Sequence, residues 1–152
     1  SKVYMHILAN HNKELIELKK ELDFLDPYLF LLKQRFPESL QISVDVPNKY
    51  YNYHVIPVAL QMLVENAIKH NVVSKKKPLF IKIYANGNST ISVINNLQPR
   101  NETGPSSNIG LNNIQKRYIL IAGKEITIQK DEDNFSVNLP LIEINTHESF
   151  NN

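Results

Sequence analysis

The stretch best equipped for chemistry is IPVALQMLVENAIKHN, residues 56–71. Pro57 is suited to opening a helix, since its fixed φ and missing N–H cost nothing in a first turn, and a helix running to about residue 72 is predicted. On it Leu60, Leu63, Val64, Ala67 and Ile68 fall at i, i+3, i+4, i+7 and i+8, a complete apolar stripe. Gln61, Glu65, Asn66, Lys69 and His70 share the other side, with Asn66, Lys69 and His70 stacked one turn apart. A solvated face is usually built from interchangeable Lys and Glu. This one gathers a carboxylate, an amide, an ammonium and an imidazole. An amide oxygen ligates Mg²⁺ without adding charge, because that ion prefers hard oxygen donors. A lysine offers a point charge to phosphate oxygens, and a carboxylate can orient or deprotonate an attacking group. The set suits a magnesium-bound triphosphate; the competing explanation is a merely solvated polar face.

Other elements must hold that helix in place. Leu15, Leu18, Leu22, Leu25, Leu29, Leu32 and Phe36 recur at spacings of three and four and build an apolar seam. It serves either packing on the domain's own sheet or a subunit interface. Pro27 lies inside the seam, so a kink or break is expected there, and Phe36-Pro37 closes the segment. LQISVDV (40–46) alternates and reads as a strand. LFIKIYAN (79–86), the turn GNS and TISVIN (90–95) read as a β-hairpin. Residues 97–109, LQPRNETGPSSNI, form one long polar loop, expected to be functional or mobile. Gly110 to about Ala122 reads as a helix with Leu111, Ile114, Tyr118 and Ile121 on one face, and EITIQK and FSVNLP as two last strands. The order predicts an α+β, two-layer α/β sandwich: a mixed, mostly antiparallel sheet covered on one face by helices, with an extra N-terminal helical segment.

Composition sets the outer bounds. With 152 residues, 42% of them hydrophobic and 21% charged, one ordinary domain can bury its own core. A net charge of +2 is too mild to imply nucleic acid or anionic lipid. The absence of cysteine excludes disulfides and thiolate metal sites. No apolar run approaches the roughly eighteen residues of a membrane span. The opening SKVYMHILANHNKEL already reads as helix, as expected of a piece of a longer protein.

LQMLVENAIKHN resembles the N-box of the GHKL superfamily of ATPases and kinases, and more narrowly that of LytS/YehU-like sensor histidine kinases, especially the short-lidded versions of Bacteroidetes. The likeness extends through ELDFLDPYLFLLKQRFPESLQISVDVP, the hairpin, and SSNIGLNNIQKRY, and so covers nearly the whole chain. It implies the Bergerat form of the predicted sandwich, with ATP and Mg²⁺ as ligands. Residues 1–36 would be the end of the dimerisation and phosphoacceptor region with a connecting helix, 37–145 the catalytic domain, and 146–152 a tail. Asn66 matches the magnesium-ligating asparagine. Lys69 and His70 match positions lining the phosphates and nucleoside, and Glu65 the acidic residue that would polarise the attacking histidine. The superfamily's hydrolases place their base where this chain has Met62, which cannot act as one. The partners implied are an upstream phosphoacceptor helix, a response regulator and a second copy in a homodimer. The implied setting is the cytoplasmic part of an inner-membrane sensor, without membrane contact by this segment.

Three departures qualify the resemblance. The family's DxGxG segment, whose aspartate binds the adenine amino group, is here Asn95-Asn96-Leu97-Gln98-Pro99. Asn95 keeps an acceptor oxygen but not the charge, and without the glycines the backbone must run differently. The second glycine box survives only as Gly110, followed by Leu111 and, in the first helical turn, Asn113, where backbone amides would face phosphates. None of the five histidines has the family's phosphoacceptor setting: His6 and His11 read as surface or packing residues, and His54 and His147 carry no motif. The expected function is therefore transfer of the ATP γ-phosphoryl group to a histidine outside these residues. The alternative is a GHKL-fold interaction module that no longer binds ATP.

Overall fold

The computed structural model describes residues 14–101 and 109–144. Residues 102–108 of the loop expected at 97–109, the expected tail beyond 144, and His6, His11 and His147 lie outside them. Strand β1 (Ile16–Glu17) leads into helix α1 (Leu18–Arg35), strand β2 (Leu40–Asp45), a 3₁₀ turn (Asn48–Tyr50) and strand β3 (His54–Val55). Helix α2 (Ala59–His70), strands β4 (Leu79–Asn86) and β5 (Thr90–Asn96), helix α3 (Ile109–Ala122) and strands β6 (Thr127–Lys130) and β7 (Asn134–Pro140) follow. The main sheet runs β2-β4-β5-β7-β6, parallel between β2 and β4 and antiparallel elsewhere. Helices cover one face: Leu79, Ile81 and Ile83 of β4 are buried, whereas Phe80 and Lys82 between them are exposed. This is the predicted α+β sandwich with its mixed sheet.

The leucine seam is part of this core. Leu18, Leu25, Leu29 and Leu32 are buried, and Leu15, Leu22 and Phe36 pack partly against them. Leu15 nevertheless precedes the helix, because Ile16 and Glu17 pair with Val55 and His54 as a short antiparallel ladder. The first amides of α1 find partners in the same neighbourhood, Leu18 N donating to Tyr53 O at 2.8 Å and Lys19 N to Tyr51 O at 3.2 Å. Pro27 does not break the helix as expected. It and Asp23, whose carbonyl it leaves without an amide, are both exposed, so water can take the lost bond.

Helix α2 begins at Ala59 rather than Pro57, because Val58 adopts a left-handed conformation, φ 69 and ψ 0. A β-branched side chain there costs about 1–2 kcal/mol. The offset is tertiary. Glu21, only 4% exposed inside the leucine seam, accepts Val58 N at 3.0 Å and Leu60 N at 3.4 Å. Its carboxylate thus caps a helix that has no capping side chain of its own.

Candidate functional site

Helix α2 carries the predicted polar face, but the face is divided. Successive helical residues turn by about 100°, so adjacent Glu65 and Asn66 leave the helix on different flanks. Glu65 lines a groove of about 260 Å³ between α1 and α2, together with Tyr28, Arg35, Lys69 and Arg100. Its carboxylate accepts Gln61 Nε2 at 3.2 Å and the Tyr28 hydroxyl. Burial, then the charge and hydrogen bond of Glu65, push the Tyr28 phenol up to about 12, so it stays a donor. The single face expected for Gln61, Glu65, Asn66, Lys69 and His70 is thereby corrected: Glu65 and Lys69 line the groove on the α1 side, with Gln61 bonded to Glu65.

Asn66 is half-buried, and its amide bonds no other described side chain or backbone group. Lys69 is exposed on the rim of the groove. His70 is half-buried, with a buried Nε2 that has no hydrogen-bond partner among the described residues, the kind of orphaned group a ligand would satisfy. Asn95 is 3% exposed on the core-facing side of β5, alongside Ile91 and Val93. Its Nδ2 donates to Asn96 O at 2.8 Å, which leaves Oδ1 as the group able to accept from a ligand. Gly110 and Asn113 lie in the first turn of α3, Asn113 exposed. A Cβ on Gly110 would meet nothing within 4 Å, so the described neighbours do not demand glycine there. Leu111 is a core side chain, leaving only its backbone for any ligand. Helix α2 packs on α1, α3, β4 and β5, which is what draws these positions towards one side of the sheet.

The loop expected after β5 begins as one, and its first residues are hydrogen-bonded into place. Residues 97–101 fold back onto the C-terminal end of α2. Val72 N donates to Gln98 O at 2.8 Å, and Gln98 Nε2 donates to Val72 O and Lys77 O at 2.7 and 2.8 Å. Asn71, the last residue of the LVENAIKHN run, is the hub: its Nδ2 donates to Ala67 O at 2.8 Å and its Oδ1 accepts Gln98 N at 2.9 Å. Arg100 donates from its backbone to His70 O, from Nε to Asn71 O and from Nη2 to Ile68 O, at 3.2, 2.8 and 3.2 Å. A guanidinium therefore caps the helix carbonyls beside Lys69 and His70. Where the resemblance leads one to expect glycines, this chain has a hydrogen-bonded clasp. No local sequence pattern announces Arg100 as a cap, since it lies 29 residues beyond Asn71. Glu21 did leave a trace, since it occupies a seam position between Leu18 and Leu25 where an apolar residue is expected.

Among the described residues no group of three or more His, Cys, Asp or Glu is placed to hold a metal ion. A magnesium ion held by one amide and by phosphate oxygens needs no such cage. No described helix is long and apolar enough to cross a membrane.

No protein-family model matches the chain. It is 29% identical over 150 residues to the sensor protein LytS of Staphylococcus saprophyticus, a match covering 88% of this chain and 25% of that protein. It is 40% identical over 70 residues to the sensor histidine kinase/phosphatase LytS of Staphylococcus aureus, covering 46% of this chain and 12% of that protein. The chain thus spans a quarter or less of the length of these curated relatives. Among solved structures it resembles the catalytic domain of histidine kinase ThkA, with TM-score 0.57, 17% identity, and coverage of 86% of this chain and 97% of that one. It also resembles the cytoplasmic segment of histidine kinase QseC, with TM-score 0.56, 14% identity, and coverage of 86% and 78%. The fold is that of histidine kinase catalytic domains, and LytS sensor kinases are relatives at modest identity.

Proposed function

We propose that the chain is the ATP-binding catalytic part of a two-component sensor histidine kinase of the LytS type, within its short-lidded Bacteroidetes branch. The observation that carries this reading is helix α2: a LytS-like LVENAIKHN run, on a kinase catalytic fold, with a buried His70 nitrogen that has no partner among the described residues. In this reading Asn66 Oδ1 supplies the protein's oxygen to Mg²⁺, and Lys69, His70 and the first amides of α3 around Gly110, Leu111 and Asn113 face the phosphates. Asn95 Oδ1 accepts from the adenine amino group. When bound, Mg²⁺ neutralises charge on the phosphate oxygens. The chain's own contribution is positioning and electrostatics, as is general for phosphoryl transfer. Glu65, oriented by Tyr28 and Gln61, accepts the N–H of the incoming imidazole and so favours attack by its other nitrogen. That imidazole belongs to an upstream phosphoacceptor helix of the same kinase, within a homodimer, and the phosphoryl group passes on to a response regulator. Such a kinase would hold this domain on the cytoplasmic side of the membrane.

Thermal melts with and without Mg-ATP test the reading. Ligand at a hundredfold excess over its dissociation constant should stabilise the fold by about 2.7 kcal/mol. No shift at millimolar Mg-ATP would leave the second reading, a GHKL-fold interaction module without nucleotide. That reading draws on the clasp, where Leu97 and Pro99 stand in place of glycines, and on Asn95 in place of the aspartate. A third, ATP hydrolysis, is disfavoured by Met62, and steady phosphate release by the chain would revive it.

A further inference from the structure

The turn at residues 56–60, just ahead of α2, is gripped from both neighbouring helices. From α1, the two carboxylate oxygens of Glu21 take Val58 N at 3.0 Å and Leu60 N at 3.4 Å. From α3, Arg117 Nη2 donates to Pro57 O at 3.1 Å, and the Tyr118 hydroxyl accepts Ile56 N at 3.5 Å. Glu21 and Tyr118 are both buried, and Tyr118 is fully so. The charged and titratable groups facing the turn are therefore Glu21, Arg117 and Tyr118, with Arg117 close enough to act on the charge of Glu21. All three helices meet here, and Val58 holds a left-handed conformation at the meeting point.

Packing alone does not call for this arrangement. A local Ser or Asp at position 58 would cap α2 without involving α1. A buried carboxylate reaching from another helix ties the axial position of α2 to that of α1, because its two oxygens join a side chain of α1 to two backbone amides at the start of α2. Asn66, Lys69 and His70 lie in the second and third turns of the helix so fixed. We propose that Glu21 is a positioning residue through which α1 sets the placement of α2 against α3, and with it the affinity of the site for Mg-ATP. Displacement of α1, the helix on the upstream side, would then reach the nucleotide through one carboxylate. The inference rests on the nucleotide-binding reading above.

The experiment measures Mg-ATP dissociation constants for the chain and for Glu21→Ala, Glu21→Gln and the double variant Glu21→Ala with Val58→Gly, at a temperature where circular dichroism shows each folded. Glycine adopts the left-handed conformation without help, so the double variant removes the local need for a cap. Glu21→Ala is expected to weaken Mg-ATP binding by roughly tenfold, the factor corresponding to one lost charge-assisted hydrogen bond. The double variant should recover melting temperature while its affinity stays low. Glu21→Gln keeps the shape and one acceptor oxygen; it should weaken binding in the same direction, and it carries the test if the alanine variant does not fold. Affinities within about twofold of the parent chain in every folded variant would overturn the proposal. So would recovery of both stability and affinity on adding Val58→Gly, which would make Glu21 a local cap only. Absence of Mg-ATP binding by the parent chain would overturn the nucleotide reading itself, a result distinguishable from these.

Discussion

Single side chains divide here into those that hold the fold and those left over for a ligand. In the proposed reading Asn66 belongs to the second group, since nothing described in the structure uses its amide. Asn66→Ala should leave the melting temperature without ligand nearly unchanged and weaken Mg-ATP binding by roughly tenfold or more, as loss of a metal-site group generally does. Unchanged affinity in a titration would remove the magnesium assignment. His54 belongs to the first group. Its buried Nδ1 has no hydrogen-bond partner among the described residues, and burial holds its pKa below the usual 6.5, with Glu17 and the Ile142 backbone pulling the other way. A histidine depressed in the folded state contributes stability that is complete above pH 6.5 and is lost as pH falls through the window below it. Urea melts should therefore show the chain losing more stability from pH 7.5 to 5.5 than His54→Gln does, and equal losses would contradict the shift. Glu21 acts oppositely, because burial raises its pKa above 4.5 and the folded state gains as pH falls through that raised value.

Elements were legible in the sequence where their own periodicity decided them. The hairpin of β4 and β5, the α3 stripe of Leu111, Ile114 and Tyr118, and the α2 stripe from Leu60 to Ala67 all lie where pattern places them. What pattern could not reach were contacts between distant parts of the chain. The true start of α2 depends on Glu21, thirty-seven residues before Val58. The β1–β3 ladder was missed because two-residue strands carry no alternation. The clasp was missed for a similar reason: Gln98 and Arg100 are ordinary loop residues until Asn71 and the α2 carbonyls are brought beside them. The candidate site was legible as residue types on one helix, but its division into a Glu65 flank and an Asn66 flank required the neighbouring helix to be in place. At this scale the clasp makes its own prediction. Arg100→Gln removes two side-chain bonds to helix carbonyls and should destabilise the chain by about 1–3 kcal/mol in chemical denaturation. It should also weaken Mg-ATP binding, since the turn carrying Lys69 and His70 loses its cap. A stability within error of the parent chain would show that water replaces the guanidinium without cost.

Among the described residues a five-stranded sheet carries three helices on one face, and the central one, α2, is held at its start by the other two and at its finish by the segment after β5. Glu21 and Arg117 grip its start, and Arg100 and Gln98 grip its finish. A helix so constrained is suited to presenting a fixed array of charges to a polyphosphate, which is how positioning contributes to phosphoryl transfer. The most direct measurement mixes this chain with Mg-ATP labelled at the γ-phosphate and a separate polypeptide bearing the upstream phosphoacceptor helix. The account predicts acid-labile, base-stable label on that polypeptide, lost with Asn66→Ala and reduced with Glu65→Gln. An unlabelled acceptor, in a mixture where the chain is folded and saturated with Mg-ATP, would contradict it.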